Sequence, residues 1–220
     1  MRPDLAEAAF QIADVSKRYG PRWALARLTF SLERGKSLLL TGHNGSGKST
    51  LLKLLGTATA PTFGKLTLFG LDAVSDREAI RRRVALLSHA SYLYEDLTAE
   101  QNLVVLGRLL GVADPPAAAR AVIERVGMTK RADHAVRTFS AGMRKRIAIA
   151  RLLLKKPDLA LLDEPFGELD PEGIAVMEGF IRELRAGGTT VVLATHLIEQ
   201  GQSLTDTRLH LAEGRTLEAA

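Results

Sequence analysis

The residues Gly42-His43-Asn44-Gly45-Ser46-Gly47-Lys48-Ser49-Thr50 fit the spacing G-x-x-x-x-G-K-[ST]. A loop of this kind holds phosphate. Its glycines let backbone N–H groups converge on phosphate oxygens with no side chain between them. A helix that begins there adds roughly half a unit of positive charge at its N-terminus. Lys48 then reaches the terminal phosphates and the Ser49 hydroxyl ligates Mg²⁺. The alternative is a glycine-rich turn without a ligand. The flanks argue against it, because a short apolar run precedes the loop and a helical pattern follows it.

A second feature is Leu159-Ala160-Leu161-Leu162-Asp163-Glu164-Pro165. Adjacent carboxylates at the end of a buried strand are costly unless a cation or a reaction uses them. Asp163 is placed to hold Mg²⁺ through water, and Glu164 to take a proton from an attacking water. Alone this is a weak motif, since any strand can end in an acidic turn; beside a phosphate loop it is a strong one. A third feature is Phe139-Ser140-Ala141-Gly142-Met143-Arg144-Lys145-Arg146. Ser140 is a good N-cap for a helix running through Lys156. Gly142 in a first helical turn costs about 1 kcal/mol against Ala, which close backbone approach to an anion would explain. Taken by itself the segment reads better as an ordinary capped helix with a solvated basic face.

The elements that must position these residues alternate between strand and helix. Phe10 to Val15 and Ala26 to Leu32 read as strands, joined through a turn at Arg18-Tyr19-Gly20-Pro21. Ser37 to Thr41 reads as a buried strand ending at Gly42, and Ser49 to Leu55 as a helix. Lys65 to Phe69, Val84 to Leu87, Leu159 to Leu162 and Thr190 to Ala194 read as further strands, with a helix starting near Pro171. Leu97 to Lys156 is mostly helical, broken at Asp114-Pro115-Pro116 and at Gly127. The alternation predicts an α/β fold with a mainly parallel sheet covered on both faces. One domain over residues 1–220 is expected, with an inserted helical lobe over roughly residues 90–155.

Composition bounds the rest. At 46% hydrophobic residues the chain is globular, and it has no cysteine. A disulfide framework, a thiolate metal site and a cysteine nucleophile are therefore excluded. The start, Met1 to Glu7, carries an early acid and no apolar core, unlike a secretory signal. No apolar run approaches the ~20 residues of a membrane helix. The net charge of +5 is mild and the basic residues are scattered, so no nucleic-acid partner is expected.

The phosphate loop, the Ser-x-Gly segment, the Asp-Glu strand and a later Thr195-His196 occur in the order found in ATP-binding cassette ATPases. The chain resembles that family from about Phe10 to its C-terminus. The resemblance implies a P-loop core with an antiparallel β lobe near the N-terminus. It also implies that Tyr19 stacks on adenine and that Ser140 and Gly142 cap the γ-phosphate of a facing subunit. Glu168-Leu169-Asp170 would couple two sites, and His196 would sense the γ-phosphate. Each has a plainer competitor: Tyr19 as a turn aromatic, His196 as a strand-end histidine, and Asp170-Pro171 as a helix start.

The chain also departs from the family. The usual Leu-Ser-Gly-Gly-Gln is Phe139-Ser140-Ala141-Gly142-Met143 here, which loses a polar amide at Met143. His89 stands where most of the family has a glutamine that touches Mg²⁺ and the attacking water. An imidazole could serve there, with protonation varying near neutral pH. His89, the Ser-Ala-Gly signature and Asp96 to Leu103 resemble the ATP-binding subunit of the haem exporter used in cytochrome c maturation.

The function so implied is hydrolysis of MgATP to drive integral membrane transporter subunits, at the cytoplasmic face of the inner membrane. The working form would be an ATP-sandwich dimer of two copies. The alternatives are the ATPase of another exporter, for drugs, lipids or polysaccharide, and a soluble cassette acting in cofactor assembly or on nucleic acid. The absence of a long coiled-coil insertion between Gly47 and Ser140 disfavours a chromosome clamp.

Overall fold

The computed structural model describes residues 8–88 and 92–217. The readings made for Met1 to Glu7 and for His89 fall outside them.

The chain opens with a long hairpin, β1 (Ala8–Tyr19) and β2 (Arg22–Glu33), turning at Gly20-Pro21. Arg18 and Tyr19 were expected in the turn but belong to β1, paired with Trp23 and Arg22. The core strand β3 (Ser37–Thr41) runs through the phosphate loop into α1 (Lys48–Leu55). Then come β4 (Phe63–Leu68), the short β5 (Leu71–Asp72), α2 (Arg77–Arg83) and β6 (Val84–Leu87).

A helical lobe follows, made of α3 (Ala99–Leu109), α4 (Pro115–Arg125), two 3₁₀ turns and α5 (Ala141–Lys155). Its starts are strongly specified. Thr98 and Gln101 form a capping box on α3, with side chain and backbone reciprocally bonded at 2.9 and 3.0 Å. Asp114 caps α4, so Pro115-Pro116 begins that helix rather than only breaking one. The core resumes with β7 (Leu159–Asp163), α6 (Pro171–Ala186), β8 (Thr190–Ala194), α7 (Ile198–Ser203), β9 (Thr207–Ala212) and β10 (Arg215–Leu217).

The strands form two sheets. One is antiparallel, in the order β2-β1-β4-β5. The other runs β10-β9-β3-β8-β7-β6 and is parallel except for β10. Strand alternation divides the core between the two faces of the parallel sheet. Leu38, Leu40, Leu159, Leu161 and Val192 point into a cluster with α1 and the antiparallel sheet. Leu39, Ala160, Leu162, Val191 and Leu193 point the other way, into a cluster with the helical lobe and α6. Runs apolar at every position are what a sheet covered on both faces requires. Among the described residues no helix is long and apolar enough to cross a membrane.

A buried polar tie joins residues 169 apart in the chain. Ser37 is fully buried, and both its N–H (2.8 Å) and its hydroxyl (2.6 Å) donate to Asp206 Oδ2. The Ser37 hydroxyl, more than any other contact, holds the Asp206 carboxyl below its ordinary value of 3.8. Asp206→Ala would leave those donors unpaired and should cost about 1–3 kcal/mol in denaturant unfolding at neutral pH. A carboxylate with a depressed folded pKa stabilises above its unfolded pKa and stops doing so as pH falls through the folded value. The gap between wild type and Asp206→Ala should therefore be full above pH 4 and close below it. Equal unfolding midpoints at pH 7 would contradict this.

Candidate active site

The phosphate loop is built by glycines at conformations other residues resist. Gly42 has φ +145°, and a Cβ there would lie 2.2 Å from the Leu211 carbonyl oxygen. Gly47 has φ +108°, and a Cβ would meet Leu25 and the Ala24 carbonyl oxygen inside 3 Å. Gly45, at φ +82°, faces open space. The loop is thus pressed onto β2 and β9 from below and left free above.

The α1 helix starts at Lys48 with no side-chain cap. Its leading N–H groups therefore lack a side-chain acceptor, the arrangement an anion completes. The Ser46 hydroxyl is buried without a partner beneath the loop, and Ser46 contributes to the loop mainly through its backbone. His43 is exposed, with Nδ1 2.7 Å from the Asn44 carbonyl oxygen. The Lys48 ammonium donates to the carbonyl oxygens of Gly42 (2.6 Å) and His43 (3.1 Å), spanning the mouth of the loop.

Above the loop lies a cleft of about 220 Å³. Asn44, Gly45, Lys48, Ser49 and Thr50 line one side, and Asp163 and Glu164 the other. A larger cavity of about 320 Å³ lies at the opposite ends of the strands, among Arg125, Lys156, Asp158 and Glu183. No phosphate-loop residue reaches it, so chemistry and cavity size point to different places, and the chemistry decides.

Glu164 leaves β7 in a left-handed conformation, φ +46°, which non-glycine residues rarely adopt. Its N–H donates to the Ala194 carbonyl at 2.8 Å, tying it to the neighbouring strand end. Its Oε2 lies 2.9 Å from His196 Nδ1 and accepts from the His196 backbone N–H at 3.3 Å. The parallel pairing of β7 and β8, with Asp163 opposite Ala194, brings these residues together.

Tyr19 ends β1 half-exposed, with the Lys17 ammonium 5.1 Å from its ring centre. It pairs with Arg22, two residues before Ala24, which lines the cleft. Ser140 caps α5, its hydroxyl accepting from the Met143 N–H at 3.3 Å. Neither Ser140 nor Gly142 lines the cleft of its own chain. Gly142 has a local reason to be glycine: a Cβ would stand 3.1 Å from the Glu168 carbonyl oxygen. Asp170 caps α6 through the Gly173 N–H at 2.8 Å. His89 falls outside the described residues.

Lys145 is a site neighbour that sequence reasoning passed over. It is 6% exposed, and its ammonium donates to the Glu164 carbonyl at 3.0 Å. Burial pulls it below the ordinary lysine value, while the Glu168, Asp163 and Glu164 carboxylates push the other way. A signal was available, because Lys145 falls on the buried stripe of α5 with Ala148, Ile149 and Leu152.

A phosphate loop and an acidic strand end facing each other across one cleft, on a mainly parallel sheet, define a nucleoside-triphosphate-hydrolysing domain. A family model described as ABC transporter matches residues 25–167. The chain belongs to the ABC transporter family, as its ATP-hydrolysing, ATP-binding domain. It is 36% identical over 215 residues to the daunorubicin resistance ATP-binding protein DrrA3 of Streptomyces coeruleorubidus, covering 97% of this chain and 68% of that protein. It is 34% identical to the Nod factor export ATP-binding protein I of Burkholderia lata, covering 96% of this chain and 70% of that one. The linearmycin resistance ATP-binding protein LnrL of Bacillus subtilis is 32% identical, with coverage of 89% and 64%.

Among solved structures, an ATP-binding cassette in a dimeric post-hydrolysis state bound to ADP and Pi superposes with a TM-score of 0.88. It is 24% identical and covers 95% of this chain and 97% of its own, a likeness of fold alone. An ATP-binding subunit of an ABC transporter superposes at 0.87 with 28% identity, covering 94% of this chain and 88% of its own.

Proposed function

We propose that the chain is the ATPase subunit of an exporter, with Glu164 as general base and hydrolysis performed by a pair of chains. The observation that carries this is the Glu164–His196 contact facing the phosphate loop across one cleft. Backbone N–H groups of the loop and the Lys48 ammonium hold the β- and γ-phosphates, and Tyr19 stacks on the base. Glu164 takes a proton from water as the water oxygen bonds to the γ-phosphorus. The bond from that phosphorus to the bridging oxygen breaks, releasing ADP and phosphate. His196 holds the carboxylate towards the cleft.

Ser49 and Asp163 offer hard oxygen donors that fit Mg²⁺. Among the described residues no cluster of three His, Asp or Glu side chains could hold a metal alone, so Ser49 and Asp163 would hold the ion together with the nucleotide. The ion, when bound, neutralises charge developing on the phosphates.

The relatives' names, daunorubicin resistance, linearmycin resistance and Nod factor export, support an exporter of small organic cargo. Haem export, the narrower reading of the Ser-Ala-Gly signature and His89, draws no support from those names. Integral membrane subunits are the proposed partners, with the chain peripheral at the cytoplasmic face of the membrane.

The exposed N-terminus of α5, with Ser140 and Gly142 away from their own cleft, supports a second copy as the completing partner. ATP then bridges Lys48 of one copy and the Ser140 helix of the other. A catalytically slowed Glu164→Gln chain should be a dimer with MgATP and a monomer without it, measured by light scattering. A monomer under both conditions, well above the nucleotide dissociation constant, would count against the sandwich.

A further inference from the structure

The first two turns of α5 grip the segment 164–170 at three points. Gly142 lies against the Glu168 carbonyl, the Arg146 guanidinium is 3.8 Å from Asp170 Oδ1, and Lys145 donates to the Glu164 carbonyl. The third grip differs in kind. Arg146 and Asp170 can reach water, whereas Lys145 is buried, and a buried ammonium is expensive to keep. Leucine or methionine would fill that position on the apolar stripe of α5 at lower cost.

What the ammonium holds is unusual. The Glu164 carbonyl accepts from Lys145 at 3.0 Å and from the Gly167 N–H at 3.3 Å, and the Glu164 N–H is bound to Ala194. Both ends of one residue in a left-handed conformation are therefore pinned. Such conformations are costly for a residue with a side chain and persist only where surroundings over-determine them. Turning this peptide back to an extended conformation would swing the Glu164 side chain away from His196.

We propose that Lys145 is a positioning residue that holds the Glu164 backbone in its left-handed turn and so keeps the carboxylate aimed at the cleft. Because Lys145 stands one turn inside the helix that begins at Ser140, the same bond joins a chain's own catalytic strand to the signature it offers its partner. This rests on the proposed role of Glu164 as base.

The test compares steady-state hydrolysis by the full chain carrying Lys145→Met, Lys145→Arg, Glu164→Gln, and Lys145→Met with Glu164→Gln. Lys145→Met should lower kcat about tenfold or more, the scale of a sub-ångström to 1 Å misplacement, with KM for ATP unchanged within about twofold. Its melting temperature should equal or exceed that of the wild type, since a buried charge is removed. Lys145→Arg, which keeps a cationic donor, should recover most of the rate. In the Glu164→Gln background, adding Lys145→Met should change the residual rate by less than about twofold, because the lysine acts through that carboxylate.

Slow Glu164→Gln together with wild-type kcat in Lys145→Met overturns the inference alone. So does a rate loss that accompanies a lowered melting temperature and is not recovered by arginine. Wild-type turnover in Glu164→Gln instead overturns the base assignment beneath it.

Discussion

Glu164→Gln should bind ATP as the wild type does and hydrolyse it about 10²-fold or more slowly, the scale of losing a general base. The substitution is nearly isosteric. Its amide oxygen can still accept from the His196 N–H that now reaches Glu164 Oε2 at 3.3 Å. The Ala194 and Lys145 contacts are made by the Glu164 backbone and are untouched. What is lost is the basic oxygen alone, so the deficit should appear in kcat and not in nucleotide affinity. Phosphate release in the steady state, beside equilibrium titration with a fluorescent ATP analogue, separates the two. Equal turnover in variant and wild type would remove Glu164 from the chemistry.

Lys48→Ala should weaken ATP binding by about 10²-fold or more. Each charge-assisted hydrogen bond to phosphate contributes about 1.5–3 kcal/mol, and the ammonium is the cation nearest the loop's anion site. Its charge rests on the Gly42 and His43 carbonyls, beside the cleft that Lys48 lines. Those carbonyls are part-exposed, so water replaces the lost donor and the fold should tolerate the change. An unchanged dissociation constant in the same titration would refute this role for the lysine. A collapsed melting temperature would show that Lys48 serves the fold instead.

Legibility in the sequence followed range. Ser37 to Thr41, Val84 to Leu87 and Thr190 to Ala194 were read with their observed bounds, because an uninterrupted apolar run between turn residues has few other homes. The Asp170 and Ser140 caps were equally plain, since a cap and the N–H it serves lie three residues apart. The hairpin is longer than its sequence pattern suggests. A sheet solvated on one face should alternate cleanly, but register shifts in β1, among them one between Ile12 and Val15, interrupt the alternation. The strands at Thr207–Ala212 and Arg215–Leu217 carry little strand signal in the sequence, the first being partly exposed and both rich in polar residues.

By itself the sequence determined which residues could do chemistry and the local shape of each piece. The strand–loop–helix around Lys48, the acidic strand end at Asp163-Glu164 and the helix capped by Ser140 are set by hydrogen bonds and burial over a few residues. Tertiary structure alone decided which pieces meet. His196 reaches Glu164 because β8 lies beside β7 in register, across 32 residues of chain. Lys145 reaches the Glu164 carbonyl because α5 packs beneath that strand end, and Ser140 and Gly142 stand outside their own cleft for the same reason. Strand order and helix docking depend on how apolar faces pack over the whole chain, and residue spacing along the backbone does not encode that sum.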